Sequence, residues 1–274
     1  MLETVFNAAL RRIEDDKMTF DKYCDQFSSV RMRRENGILE MTFHTDGGSL
    51  RWSKRAHEDL EQAFLAAGRD RENDVIIITG TGDEYSGPAV KPSGEGGHHN
   101  PKKPVTAEEW DKLWYWEGKH LLMNLLNVEV PMIAAINGPA VRHPEIPLLC
   151  DIVLASETAT IQDSAHFNGG LVPGDGVHIV FPMLMGINRG RYFLLTGQVL
   201  DATEAKDLGL VSEVLSPDAL LPRAWQLAKQ LQLRPPLLRR YARVMLTQDL
   251  KKRMHELLGY GLALEGLAAV QHVK

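Results

Sequence analysis

The run Val75-Ile76-Ile77-Ile78-Thr79-Gly80 decides the class of fold. Four successive β-branched apolar residues leave neither face of a strand for water, so the strand is expected to be covered on both sides, as in a parallel sheet. Outward from it, apolar bursts at residues 38–43, 132–136 and 152–155 read as further strands, with 158–162 and 211–215 weaker. Between the bursts the period changes. Residues 56–67 place Leu60, Phe64 and Ala67 on one helical stripe, and 107–126 place Trp114, Leu121, Leu122 and Leu125 on another. From Val177 the chain is mostly helical, through 218–231, 235–246 and 248–269, with Pro235 and Pro236 marking a helix start. Strands alternating with helices, then a helical tail, predict an α/β core followed by an α-helical C-terminal region.

Three segments follow: a charged amphipathic N-terminal extension over 1–27 that packs on the surface or on a neighbouring subunit, a core over 28–200, and a helical region over 201–274. Gly87 to Pro104 is rich in Gly, Pro, Lys and His without periodicity and reads as a long loop, a pocket lid in expectation because it follows a buried strand. His98 and His99 within it have no nearby carboxylate set and read as solvated.

At 274 residues, 44% hydrophobic and 24% charged, the chain is long enough for one substantial core. Its net charge of -5 offers no basic footprint for nucleic acid or an anionic membrane. Cys24 and Cys150 lack disulfide-framework or zinc spacing, which fits a reducing compartment. No apolar run approaches the ~18 residues of a membrane span, so cytoplasm is the expectation.

Two stretches carry the chemistry: Gln162-Asp-Ser-Ala-His-Phe-Asn-Gly-Gly-Leu-Val-Pro-Gly-Asp-Gly176 and Asn137-Gly-Pro-Ala-Val-Arg-His-Pro-Glu-Ile-Pro147. His166 with Asp175 is a general-base combination, the carboxylate orienting the imidazole and stabilising the imidazolium formed when a water proton is taken. On residue type alone, Asp175 is equally a turn former and His143 a polar loop residue. Gly-x-Ser-x-Gly, His-Glu-x-x-His, P-loop and Gly-x-Gly-x-x-Gly patterns are absent from the sequence, so an enzyme without metal or cofactor is the expectation.

From about Ile38 to Leu215 the sequence resembles the crotonase (enoyl-CoA hydratase/isomerase) superfamily, through Val75-Ile-Ile-Ile-Thr-Gly80, Val130-Pro-Met-Ile-Ala-Ala-Ile-Asn-Gly-Pro-Ala140, Asp151-Ile-Val-Leu-Ala155, Gly170-Leu-Val-Pro-Gly174 and Leu195-Thr-Gly-Gln198 onward. The resemblance implies a crotonase-like spiral of repeated ββα units with a helical C-terminal trimerisation region, a homotrimer or dimer of trimers, and an oxyanion hole that stabilises an enolate. Where the family has a glycine run after Asn-Gly-x-Ala, this chain has Arg142-His143-Pro144. The two glutamates that direct water in hydratases fall on Ile146 and His166. Both departures, with His143-Pro-Glu-Ile-Pro147, Gln162-Asp163, Val172-Pro-Gly-Asp-Gly-Val-His178 and Leu221-Pro-Arg-Ala-Trp225, are similar to the branch of β-diketone hydrolases that includes 6-oxocamphor hydrolase.

That branch implies hydrolysis of a carbon–carbon bond in a small cyclic or bicyclic 1,3-diketone by a retro-Claisen reaction giving a keto acid. His166, oriented by Asp175, would activate water, and His143 would hydrogen-bond the enolate oxygen. Trp52 would add its indole N–H and Glu265 would line the substrate site. The alternative is a CoA-thioester hydratase, isomerase or hydrolase, with Lys91, Lys102 and Lys103 meeting CoA phosphates.

Overall fold

A computed structural model describes residues 17–89 and 105–270. Residues 1–16 of the N-terminal extension and most of the Gly87 to Pro104 loop, with Lys91, His98, His99, Lys102 and Lys103, lie outside the described residues.

Among the described residues eight strands form, β1 (Val30–Glu35), β2 (Ile38–Phe43), β3 (Val75–Gly80), β4 (Met132–Ile136), β5 (Ile152–Ser156), β6 (Thr160–Ile161), β7 (Leu200–Asp201) and β8 (Glu213–Leu215). Six of them make one sheet in the order β1-β2-β3-β4-β5-β8, antiparallel at β1–β2 and parallel elsewhere. A two-stranded antiparallel ribbon, β6–β7, stands apart from it. β1 is absent from the reading above because its sequence, Val-Arg-Met-Arg-Arg-Glu, is mostly charged. It is an edge strand, and the Asn36-Gly37 hairpin turn, both residues with positive φ (49° and 81°), was the available signal.

The apolar runs are continuous because the sheet is covered twice. Leu39, Met41, Ile76, Ile78, Met132, Ala134 and Ile136 point into the main core, shared with the helices Lys54–Arg69 and Trp116–Asn127. Their neighbours Ile38, Val75, Ile77, Ile133, Ala135 and Leu154 face the other way, onto Leu220, Ala224 and Ala228 of the helix Pro217–Gln232. Each such buried Ile or Leu contributes about 1.5–3 kcal/mol.

The helix Lys54–Arg69 starts at Ser53, whose Oγ accepts from Ala56 N at 3.1 Å. The expected helix over 107–126 forms as Ala107–Trp110, a π turn at Asp111–Tyr115, and Trp116–Asn127, opened by a Thr106/Glu109 capping box. Helices Val177–Met185, Ile187–Thr196, Ala202–Asp207, Pro217–Gln232, Pro236–Leu246 and Gln248–Ala269 follow. Arg243, almost fully buried, ties this region to the core by donating to Val128 O at 2.7 Å and to Asp151 Oδ2 at 2.5 Å. Among the described residues, no helix is long and apolar enough to cross a membrane.

Candidate active site

The turn after β4 sets the first half of the site. Gly138 approaches the Asp83 carbonyl so closely that a Cβ would lie 2.0 Å from its oxygen, and Asn137 clamps the turn by accepting from Gly80 N at 3.1 Å and donating to Gly82 O at 2.8 Å. The chain then runs between Ser86 and the 160–164 segment, Val141 N donating to Ser86 O and Ala140 N to Thr160 O. Arg142 O accepts from Ser86 Oγ at 2.6 Å and from Trp52 Nε1 at 3.1 Å. His143 has φ +47°, a left-handed backbone that a non-glycine residue adopts at a cost of about 1 kcal/mol or more.

The imidazole of His143 is packed between rings, with its centroid 4.2 Å from Trp52 and 4.8 Å from His57. Its Nε2 lies 3.0 Å from His57 Nε2 and its Nδ1 lies 2.8 Å from Glu145 Oε1. Burial lowers its pKa to about 4, only partly opposed by the Asp175 charge.

The second half comes from the 162–176 segment and the last helix. Ser164 Oγ donates to Val141 O at 2.5 Å, docking the two segments together. His166 Nδ1–H donates to Asp163 Oδ1 at 2.6 Å, and its Nε2 faces Asp175 Oδ2 at 3.3 Å and Glu265 Oε1 at 3.6 Å. Asp175 Oδ2 also stands 3.3 Å from His143 Nδ1, so one carboxylate oxygen touches both histidines. Glu265 reaches the site because Gly261 and Gly174 let the helix Gln248–Ala269 press on the 173–176 turn. A Cβ on Gly261 would lie 2.3 Å from the His178 ring and 2.4 Å from Gly174 O.

Burial alone would lower the His166 pKa, but Asp163, Asp175 and Glu265 outweigh it and raise the group well above its usual value. Asp175 moves the other way: burial would raise it, yet the attraction of and hydrogen bond to His166, with His143, hold it below the usual carboxylate range. Glu265 is pushed up to about 8, chiefly by burial, and burial likewise keeps Glu145 well above its normal value. At neutral pH these directions favour an imidazolium at His166, an anion at Asp175, and neutral His143, Glu145 and Glu265.

The structure brings His143, His166, Asp175 and Glu265 into one cluster and stacks Trp52 against it. Two expected details are corrected. Asp175 is on the Nε2 side of His166, so the residue that orients His166 from behind is Asp163, whose Asp163-x-x-His166 spacing was legible in the stretch quoted above. The Trp52 indole N–H is donated to Arg142 O, because that carbonyl is buried and needs donors, so Trp52 meets the site with its ring face. His57 and Glu145 were missed, since a helical His and an acid beside Pro144 carry no pattern of their own. His143 Nδ1, Glu145 and Asp175 oxygens all lie within 4.8 Å of one another, close enough for a cation. At 2.8 Å, however, the His143–Glu145 contact has hydrogen-bond length and places a proton there.

Residues 33–264 match the enoyl-CoA hydratase/isomerase family model. A carnitinyl-CoA dehydratase of Citrobacter koseri is 30% identical over 212 residues, 76% of each chain. An enoyl-CoA isomerase/hydratase of Mycosarcoma maydis is 33% identical over 130 residues, 47% of each chain, so the match spans about half of that relative's length. A solved structure of a β-diketone hydrolase from the cyanobacterium Anabaena sp. PCC 7120, bound to (S)-3-oxocyclohexyl acetic acid, is 45% identical with a TM-score of 0.82, covering 91% of this chain and 97% of that one. An enoyl-CoA hydratase/isomerase of Mycobacterium paratuberculosis, at 24% identity and TM-score 0.78, covers 90% of this chain and 95% of its own and shares the fold. With the parallel sheet, the Asn137-Gly138 turn and a family match over most of its length, this chain belongs to the enoyl-CoA hydratase/isomerase, or crotonase, family.

Proposed function

We propose that the protein is a β-diketone hydrolase that cleaves a carbon–carbon bond of a cyclic or bicyclic 1,3-diketone by a retro-Claisen reaction. The observation that carries this reading is His166, clamped by Asp163 on one nitrogen and facing Asp175 and Glu265 with the other. In its neutral form His166 takes a proton from water through Nε2, and the hydroxide adds to one carbonyl. Asp163 keeps the ring oriented and stabilises the imidazolium. The tetrahedral intermediate collapses, the carbon–carbon bond breaks, and its electrons form the enolate of the second carbonyl, which His166 reprotonates at carbon. His143 stabilises the enolate oxygen.

The 45% identity with the Anabaena β-diketone hydrolase supports this assignment. A bicyclic 1,3-diketone that takes up one water opens a ring to a cyclic ketone bearing an acid side chain, the pattern of that protein's ligand. The second reading, a CoA-thioester enzyme, is favoured by the names of the curated relatives. Against it, by the motif resemblance an imidazole, that of His143, falls at the family's glycine position, and Ile146 falls where a hydratase has a carboxylate. We further propose a homotrimer or dimer of trimers acting in the cytoplasm.

A panel of cyclic and bicyclic 1,3-diketones tests the assignment, with keto acid read by mass and crotonyl-CoA run in parallel. Keto acid formation at rates unchanged by a chelator is expected. Hydration of crotonyl-CoA in the usual range of roughly 1–1000 per second, with every diketone inert, would establish the second reading.

A further inference from the structure

We infer that His57 fixes the tautomer of His143, and that His143 gains a proton on Nδ1, and with it a positive charge, only from Glu145. The argument starts at a backbone carbonyl, which accepts and never donates. His57 Nδ1 lies 3.0 Å from Ser53 O, so the His57 ring proton is on Nδ1. A neutral imidazole has one ring proton, which leaves His57 Nε2 bare. The 3.0 Å contact between His57 Nε2 and His143 Nε2 then needs the proton of His143. That in turn leaves His143 Nδ1 bare, and Glu145 Oε1, 2.8 Å away, completes the chain only as an O–H donor. One carbonyl thus dictates three proton positions.

The surroundings agree with this order. His57 is held near its helix N-terminus by Ser53 and wedged against Trp52 and Trp114, with ring centroids 4.8 and 5.5 Å away. Burial, and then the charge of His143, lowers the His57 pKa to about 3, so the acceptor remains neutral. The groups that face His143 are Asp175 at 3.3 Å, Glu145, His57, and the charges of Arg142, His166 and Asp163. With its one proton given to His57 and Nδ1 accepting from Glu145, neutral His143 has no N–H to spare for an enolate. Transfer of the Glu145 proton to Nδ1 breaks its O–H bond, forms an N–H bond, and leaves an imidazolium and a carboxylate. No proton enters or leaves the pair. His57 is therefore a positioning residue and Glu145 the proton reserve. The catalytic consequence rests on the diketone-hydrolase reading, whereas the tautomer does not.

The test is the histidine 15N spectrum of the full chain, with His143 assigned by its loss in His143→Gln. At neutral pH the wild-type His143 is expected as the neutral ring protonated on Nε2. His57→Gln, which retains a carbonyl acceptor, keeps that tautomer, and His57→Leu yields a mixture with a displaced pH profile. Glu145→Gln keeps the tautomer by donating an amide N–H to Nδ1, yet kcat falls by about 10²-fold with KM little changed, as expected for a lost proton donor. A wild-type His143 protonated on Nδ1, or a folded His57→Leu with the wild-type tautomer and pH profile, overturns the inference. If His57→Leu does not fold, the wild-type and His57→Gln spectra decide. If no diketone is hydrolysed but the tautomer is as stated, it is the function reading that falls.

Discussion

The two ends of the site are built around the same side chain and titrate in opposite directions. At one end His166 is buried among Asp163, Asp175 and Glu265, and its pKa is well above the ordinary histidine value. At the other, His143 is buried among Trp52 and His57, and its pKa drops to about 4. Burial disfavours both imidazolium ions, so the difference lies in how many anions are near enough to repay it. Asp175 Oδ2, 3.3 Å from each ring, separates the two behaviours: it sides with the cation at His166 and meets a neutral ring at His143. One imidazole is thereby a strong base and the other rests as a neutral ring.

Removing the base is expected to do most damage to this contrast. His166→Ala should lower kcat by about 10²–10⁴-fold, with KM moving far less, measured on whichever diketone the panel identifies. Circular dichroism must accompany the assay, because the change strands Asp163 and Asp175 without their cation. His143→Ala should lower kcat by about 10²–10³-fold, the size of a lost oxyanion donor. Equal kcat in wild type and His143→Ala would remove His143 from the chemistry and leave His166 acting alone.

Smaller effects come from retuning the ends rather than deleting them. His166 is an effective base only when neutral and its pKa is raised, so kcat/KM should climb with pH through that value. In Asp163→Asn one raising charge is gone, so the rise should move to lower pH. A profile that stays in place would mean that Asp163 does not set the pKa of His166. Glu265 shows the same linkage in stability. Its folded pKa of about 8 lies above that of an unfolded Glu, so it binds its proton more tightly when folded, and its contribution is full below ~4.5 and lost as pH rises through about 8. Glu265→Gln should match the wild-type Tm only below about pH 4.5 and exceed it increasingly as pH rises to about 8, by roughly 2–4 °C for each kcal/mol recovered. The smallest effect is expected from Trp52→Phe, which keeps a ring against His143 and removes one hydrogen bond to Arg142 O. Stability should fall by about 1 kcal/mol in denaturant titration, and kcat should stay within a few fold.

The legible part of this molecule was the part governed by local rules. The period of the apolar runs located β2, β3, β4 and β5, and the Pro235-Pro236 pair located the start of the helix Pro236–Leu246. β1 escaped because an edge strand needs only Val30 and Met32 inside, a pattern too short to stand out among arginines. In the site, His166, Asp175 and His143 were readable as residue types within quoted motifs. The direction from which each carboxylate approaches was not, so Asp175 was given the orienting place that Asp163 holds.

What the sequence by itself determined is the two-faced sheet, the sites of its turns and the set of chemical groups, since these depend on neighbours a few residues apart. Only the tertiary structure decided which nitrogen meets which oxygen. His57 and His143 are 86 positions apart and Glu265 lies near the end of the last long helix. The close approach of Gly261 to Gly174 brings Glu265 in, and the Ser53 carbonyl orders the protons from His57 to Glu145. Proton placement depends on contacts of about 3 Å and on the exclusion of water, which arise only when distant segments pack together.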